Sequence, residues 1–93
     1  MKLIAKEIHL CPLMLGEEAL EQQQAKVIYD YYVKGYIYEM HHMEDTTNVL
    51  LKMDCLTRRE AENLLGQLPL VRAGKSTFEL FEIKPYKGFE RML

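Results

Sequence analysis

Residues 35–43, GYIYEMHHM, set two of the chain's three histidines side by side, with Glu39 ahead of them and the acids Glu44 and Asp45 behind. Imidazole and carboxylate at this spacing could hold a metal ion or form a general acid–base pair. If the tract is a strand, neighbouring side chains leave on opposite faces, so His41 and His42 cannot clamp one ion together. His41 then travels with Glu39, and His42 with Tyr36 and Tyr38. A metal site would need His9, His41 and a carboxylate such as Glu39 or Asp54 to converge across strands, which no spacing here requires. The expectation is a site with no metal and no other cofactor; no redox-cofactor motif is present.

Further ionisable groups fall in strand-like runs: Glu7 and His9 early, Lys52 and Asp54 in the middle, Glu79 beside Phe81 late. A carboxylate in a half-dry cleft has a raised pKa and a nearby lysine lowers it again, so such groups can shuttle protons between carbon atoms. The expected catalytic set is His41 as acid or base, with Glu39 or Asp54 orienting or polarising it. Glu7, His9, Lys52, Glu79 and Phe81 are the expected pocket lining. The alternative is cross-strand ion pairing on a wet surface. If the second strand is flipped, Tyr36, Tyr38 and His42 enter the pocket instead.

The elements that must position these groups are set by periodicity. Residues 2–10 alternate, with Ile4, Ile8 and Leu10 on one side and Leu3, Ala5, Glu7 and His9 on the other, which predicts a half-buried strand ended by Pro12. Residues 16–34 predict a helix, with acids in its first turn, a stripe of Leu20, Val27, Ile28 and Tyr31, a wet face in EQQQAK and a stop at Gly35. Residues 36–43 predict a second strand and EDTTN a turn. In the third strand, VLLKMDC, Val49, Leu51, Met53 and Cys55 share the apolar side. TRRE is a capping box opening a helix at Thr57, with Ala61, Leu64, Leu65 and Leu68 as its buried stripe and Pro69 as its stop. STFELFEIKP predicts a fourth strand, and residues 86–93 an aromatic tail.

The order is β-α-β-β-α-β in one domain spanning residues 1–93, an α+β ferredoxin-like fold with both helices on one face of a four-stranded antiparallel sheet. Giving the more apolar side of each strand to the helices leaves a bare face carrying Leu3, Ala5, Glu7, His9, Ile37, Glu39, His41, Met43, Leu50, Lys52, Asp54, Thr77, Glu79, Phe81 and Ile83. That mixture is too apolar for a solvated surface, so a second copy packed sheet to sheet is expected, with Tyr86 and Phe89 docking on the partner or over the barrel mouth.

Composition narrows the function classes. With 93 residues, 48% hydrophobic, and a net charge of −2, the basic residues are scattered, which disfavours nucleic-acid binding. An RNA-recognition domain of the same topology would need aromatics on the central strands, where Glu7, His9, Lys52 and Asp54 stand instead. No run approaches a membrane span, and Lys6, Glu7 and His9 interrupt the signal-like start. Cys11 and Cys55 form no CxxC pair, so reduced thiols in the cytoplasm are expected. AGKST lacks the glycine spacing and the strand-loop-helix setting of a phosphate loop, leaving Gly74 as a tight turn and Lys75 in solvent.

The segment Leu68-Pro69-Leu70, Gly74, Phe78-Glu79-Leu80 and Pro85-Tyr86 resembles the muconolactone isomerase-like family of the dimeric α/β-barrel superfamily. The resemblance implies sheet-to-sheet dimers, often larger rings, and a small-molecule pocket at the barrel end. It also implies movement of a proton next to a lactone carbonyl. That family carries a basic His/Arg pattern after the helix-ending glycine, whereas the run after Gly35 here holds no arginine. The sequence therefore points to a homodimeric protein binding a small aromatic or carbonyl-bearing molecule, either an isomerase-like enzyme or a non-catalytic ligand-binding or regulatory module.

Overall fold

The computed structural model describes residues 1–44 and 46–92; Asp45 of the acid pair after the histidines and Leu93 of the tail lie outside the described residues. Its elements are β1 (Lys2–His9), α1 (Ala19–Val33), β2 (Ile37–His42), β3 (Val49–Asp54), α2 (Arg58–Gly66), α3 (Pro69–Arg72), β4 (Ser76–Ile83) and a closing 3-10 turn at Gly88–Met92. The strands form one antiparallel sheet in the order β2-β3-β1-β4, the ferredoxin-like arrangement. Leu3, Ile37, Leu51, Met53 and Leu68 are the largest fully buried side chains among the described residues, packed with Ile28 and Tyr31 of α1 and Ala61 and Leu65 of α2.

The expected orientation of β1 is reversed. Leu3, Ala5 and Glu7 face the helices, while Ile4 and Ile8 stand on the open side with Lys6. The register explains this: Leu3 lies opposite Met53, and Ala5 lies between Leu51 and Leu80. Cross-strand neighbours share a face, so β1 must follow the apolar rows of β3 and β4. Burying Ile4 and Ile8 instead would have taken the Lys6 ammonium inside as well.

In β2 a bulge between Ile37 and Glu39 changes the parity partway along. Ile37 pairs with Met53 in the core, not on the open face as the alternation predicts, and Tyr38 turns outward beneath the Lys2 ammonium, 4.3 Å from its ring centre. Beyond the bulge, Glu39 and His41 sit on the open side opposite Lys52 and Leu50. Met40 and His42 sit on the helix side opposite Leu51 and Val49. Tyr36 stays with the helices, edge-on to Tyr31.

The helix ends obey local chemistry. Gly35 has φ 87°, and Tyr36 N–H reaches back to the Tyr31 carbonyl while Gly35 N–H reaches that of Tyr32, closing α1. α1 begins three residues later than predicted: Gly16, at φ 91°, lies outside the helical region, and the Glu17 side chain pairs with Lys75 ahead of the helix. Glu60 N–H donates to Thr57 Oγ1, and the Glu60 carboxylate accepts from Leu56 N–H, one residue before the cap. Pro69 ends α2 but also opens the short helix α3.

With Leu3 fully enclosed, Leu3→Ala is expected to lower the unfolding free energy by about 2–5 kcal/mol in urea denaturation. Ile8→Ala should cost less than half as much; the opposite ranking would return β1 to its predicted orientation.

Candidate functional site

The ladder between β1 and β3 ends at Lys6 opposite Leu50, yet β1 continues to His9. Val49 N–H would be left without a partner on that side. The Glu7 carboxylate supplies one, accepting from Val49 at 3.0 Å while 7% exposed. Past this point β1 and β3 are no longer joined by backbone bonds, and a cleft of about 290 Å³ opens between sheet and α1. Its polar lining is Glu7, His9, Glu21, Gln24, His42, Thr47, Asn48, Lys75 and Ser76, and Leu13, Ala25, Ile28, Val49 and Leu70 supply apolar wall. That volume is at the small end for metabolite sites and suits a single ring.

Gln24 belongs to the stretch predicted as wet, but it is buried. Its Oε1 accepts from Leu70 N–H at 2.8 Å, fixing α1 to α3. Ser76 lies opposite His9 in the sheet and is 3% exposed, and its hydroxyl has no hydrogen-bond partner among the described residues.

Lys75 is also buried rather than solvated, because Gly74, at φ 74°, turns the chain inward ahead of it. Its Nζ meets Glu17 Oε1 at 2.9 Å, and its carbonyl accepts from Leu10 and Cys11 N–H. The β1–α1 loop is thereby held against the start of β4. The bond to Lys75, with a second from Met14 N–H, keeps the Glu17 carboxyl below its usual pKa; the same pairing raises that of Lys75.

His42 Nδ1 lies 3.2 Å from the Thr47 carbonyl. A carbonyl only accepts, so Nδ1 carries the proton, and in the neutral ring Nε2 is left as an acceptor. A second groove of about 360 Å³ shares Ala25, Ile28, His42 and Val49 with the cleft and runs along α1 and β2 to Tyr29, Met40 and His41.

On the open face, His41 Nε2 donates to Glu39 Oε1 at 3.3 Å, and Lys52 Nζ meets Glu39 Oε2 at 3.2 Å. These two partners, His41 first, hold the Glu39 carboxyl below its usual pKa. Asp54 is engaged by Lys2 at 3.4 Å and by the N-terminal amine at 3.7 Å. Glu79 stands opposite Lys6, and Phe81 opposite Ile4. The sheet thus divides the expected residues. Glu7 and His9 line the cleft under α1, and Glu39, His41, Lys52, Asp54, Glu79 and Phe81 occupy the other side. The grouping of all eight on one face fails with the orientation of β1. Gln24, Lys75 and Ser76 escaped the sequence reading; the buried Gln within an otherwise polar helix face had no local signal, and Lys75 is turned inward only by tertiary pairing. No three metal-ligating side chains converge among the described residues.

No protein-family model matches the chain, and no curated protein matches it in sequence. Solved structures do share its architecture. Muconolactone isomerase superposes with a TM-score of 0.81 over 95% of this chain and 93% of that one, at 13% identity. A 5-chloro-2-hydroxyhydroquinone dehydrochlorinase from Burkholderia phenoliruptrix AC1100, in complex with 2,5-dihydroxybenzoquinone, gives 0.60 over 94% and 97%, at 15% identity. The chain has the muconolactone isomerase fold.

The Glu17–Lys75 pair makes a pH prediction. A carboxyl whose folded pKa is depressed contributes stability above its ordinary value of 4.5 and loses it as pH falls through the folded value. Glu17→Gln should therefore lower the melting temperature at pH 7 and change it progressively less below pH ~4.5. An equal effect of the substitution at both ends of that range would dissociate the pair from stability.

Proposed function

We propose that this chain is a cytosolic small-molecule-binding protein that moves a proton next to a carbonyl group, with the ligand held between the sheet and α1. The observation that carries this reading is the buried Ser76 hydroxyl, without a partner among the described residues, in a cleft that also contains the Glu7 carboxylate and ends at His42. Polar groups without partners are costly inside a protein, and a ligand oxygen would satisfy this one. In the proposed reaction His42 Nε2 takes a proton from the carbon beside the carbonyl. The electron pair moves onto the carbonyl oxygen, where Ser76 Oγ–H and the Gln24 amide can donate. The proton returns from His42 to a different carbon of the resulting dienolate, so the product is an isomer and no co-reactant is consumed. The two enzymes that share this fold, an isomerase and a dehydrochlorinase, support a catalytic use of the scaffold.

A second reading places the chemistry on the open face, with His41 as acid or base and Glu39 or Asp54 orienting or polarising it. Its support is the hydrogen-bonded chain from His41 through Glu39 to Lys52. A β,γ-unsaturated γ-lactone in deuterated water separates the two. Exchange of its α-proton, monitored by NMR, is expected to be accelerated by the wild-type protein and slowed about 100-fold or more by His42→Ala, with His41→Ala close to wild type. Loss with His41→Ala alone would move the site to the open face. Lactone-induced thermal stabilisation without exchange would leave a binding or regulatory module, and no stabilisation by this or related ring ligands would remove most of the support for binding.

We also propose a homodimer through the open face. Phe81 is 49% exposed there among Ile4, Ile8, Leu50 and Ile83, and the tail presents Tyr86 and Phe89 at 76% and 68% exposure, stacked edge-on. Sedimentation at micromolar concentration should give a dimer, and deletion of residues 86–93 should weaken it. A strictly monomeric profile would eliminate the proposal; an unchanged dimer constant would free the tail from this role.

A further inference from the structure

We infer that the cleft selects a ring that carries a hydrogen-bond donor such as a hydroxyl group along with the carbonyl of the proposed reaction, and discriminates against carboxylates. The inference rests on the cleft being the binding site, and it names the ligand class for that reading. Two carboxylates, Glu7 and Glu21, line the cleft without an ion-pair partner among the described residues. The one ammonium in the lining, Lys75, is already matched by Glu17 at 2.9 Å. A ligand carboxylate would be desolvated beside two like charges, with no free cation in the lining to receive it.

The hydrogen-bonding capacity points the same way. Glu7 gives one oxygen to Val49 N–H, leaving acceptor capacity at the other, and His42 offers Nε2 because Nδ1 is turned to the Thr47 carbonyl. These groups call for a donor on the ligand. Ser76 Oγ can donate or accept and is nine-tenths buried with no partner of its own among the described residues. A hydroxyl can donate to Glu7 or His42 while accepting from Ser76, whereas a carboxylate has no proton to donate to either. The walls from Leu13, Ile28, Val49 and Leu70 suit the faces of a ring.

Calorimetric titration of the full chain at neutral pH with catechol, as the hydroxyl-bearing ring, and benzoate tests this. Catechol is expected to bind at least about tenfold more tightly than benzoate, and Ser76→Ala and Glu7→Gln should each weaken it by about tenfold. Glu7→Gln keeps an oxygen for Val49 N–H, so the strand end is retained, and it should narrow the gap between catechol and benzoate. Benzoate binding as tightly as catechol, with loss of that binding in Ser76→Ala, would overturn the ligand class and leave the cleft as the site. Binding of no probe, or binding indifferent to both substitutions, would overturn the cleft as the site as well.

Discussion

The hydrogen bond from Val49 N–H to the Glu7 carboxylate governs the working end of this molecule. A sheet can open a gap between neighbouring strands only if the backbone groups released there find other partners. Here β1 and β3 part after Lys6 and Leu50, and one carboxylate oxygen substitutes for the missing strand. Taking a carboxylate out of water costs several kcal/mol, whereas a hydrogen bond to a charged acceptor returns about 1.5–3 kcal/mol. One backbone donor does not offset that burial. Glu7 is therefore poorly explained by stability alone, and its remaining acceptor capacity faces the cleft, where a ligand can use it.

The same end of the fold is closed from the other side by a second buried charge. Lys75 enters the interior because Gly74 adopts a left-handed turn, and Glu17 leaves the start of α1 to meet it. The consequence is mechanical as well as electrostatic. The β1–α1 loop, which carries Leu13 into the cleft wall, is pinned to the α3–β4 turn by the Lys75 carbonyl and ammonium together. Gln24 adds a third tie between α1 and α3. Walls from four separate elements are thus held at fixed spacing around a small volume, the preorganisation that a selective site needs.

How much of this was legible in the sequence depends on the range of the forces involved. β3 read correctly because Leu50 alone breaks its alternation of apolar and polar residues, and the Thr57 cap read correctly because it is a local motif. β1 did not, because Ile4 and Ile8 outweigh Leu3 and Ala5 in hydrophobicity, while the decision belongs to the rows of β3 and β4 that β1 must match. β2 was half right. Alternation alone carries Ile37 and Glu39 to the same face, and the bulge between them sends Ile37 inward and leaves Glu39 and His41 outside. Gln24 and Lys75 are buried by partners many residues away, and no windowed pattern encodes that. The candidate site suffered more than the fold because a one-residue parity change leaves the element order intact and exchanges every side chain between faces.

The histidine doublet carries the same parity into function. Strand geometry sends its members apart, His41 to a network with Glu39 and Lys52 on the open face, His42 to the rim of the cleft. Each face has its own demand. The open face combines apolar side chains with paired charges, a composition suited to another protein surface, where matched pairs fix orientation without exposing a lone charge. The cleft has the reverse composition: a free acceptor at His42, a carboxylate only half used, and a serine hydroxyl with no bond of its own among the described residues. A fold shared at 13% identity leaves the lining of such a cleft to the individual sequence, and the side chains decide what it admits. In this chain the charges that line the cleft are mostly acidic and its one cation is already matched, an arrangement that disfavours a ligand carboxylate and leaves acceptors open to a ligand's hydrogen-bond donors.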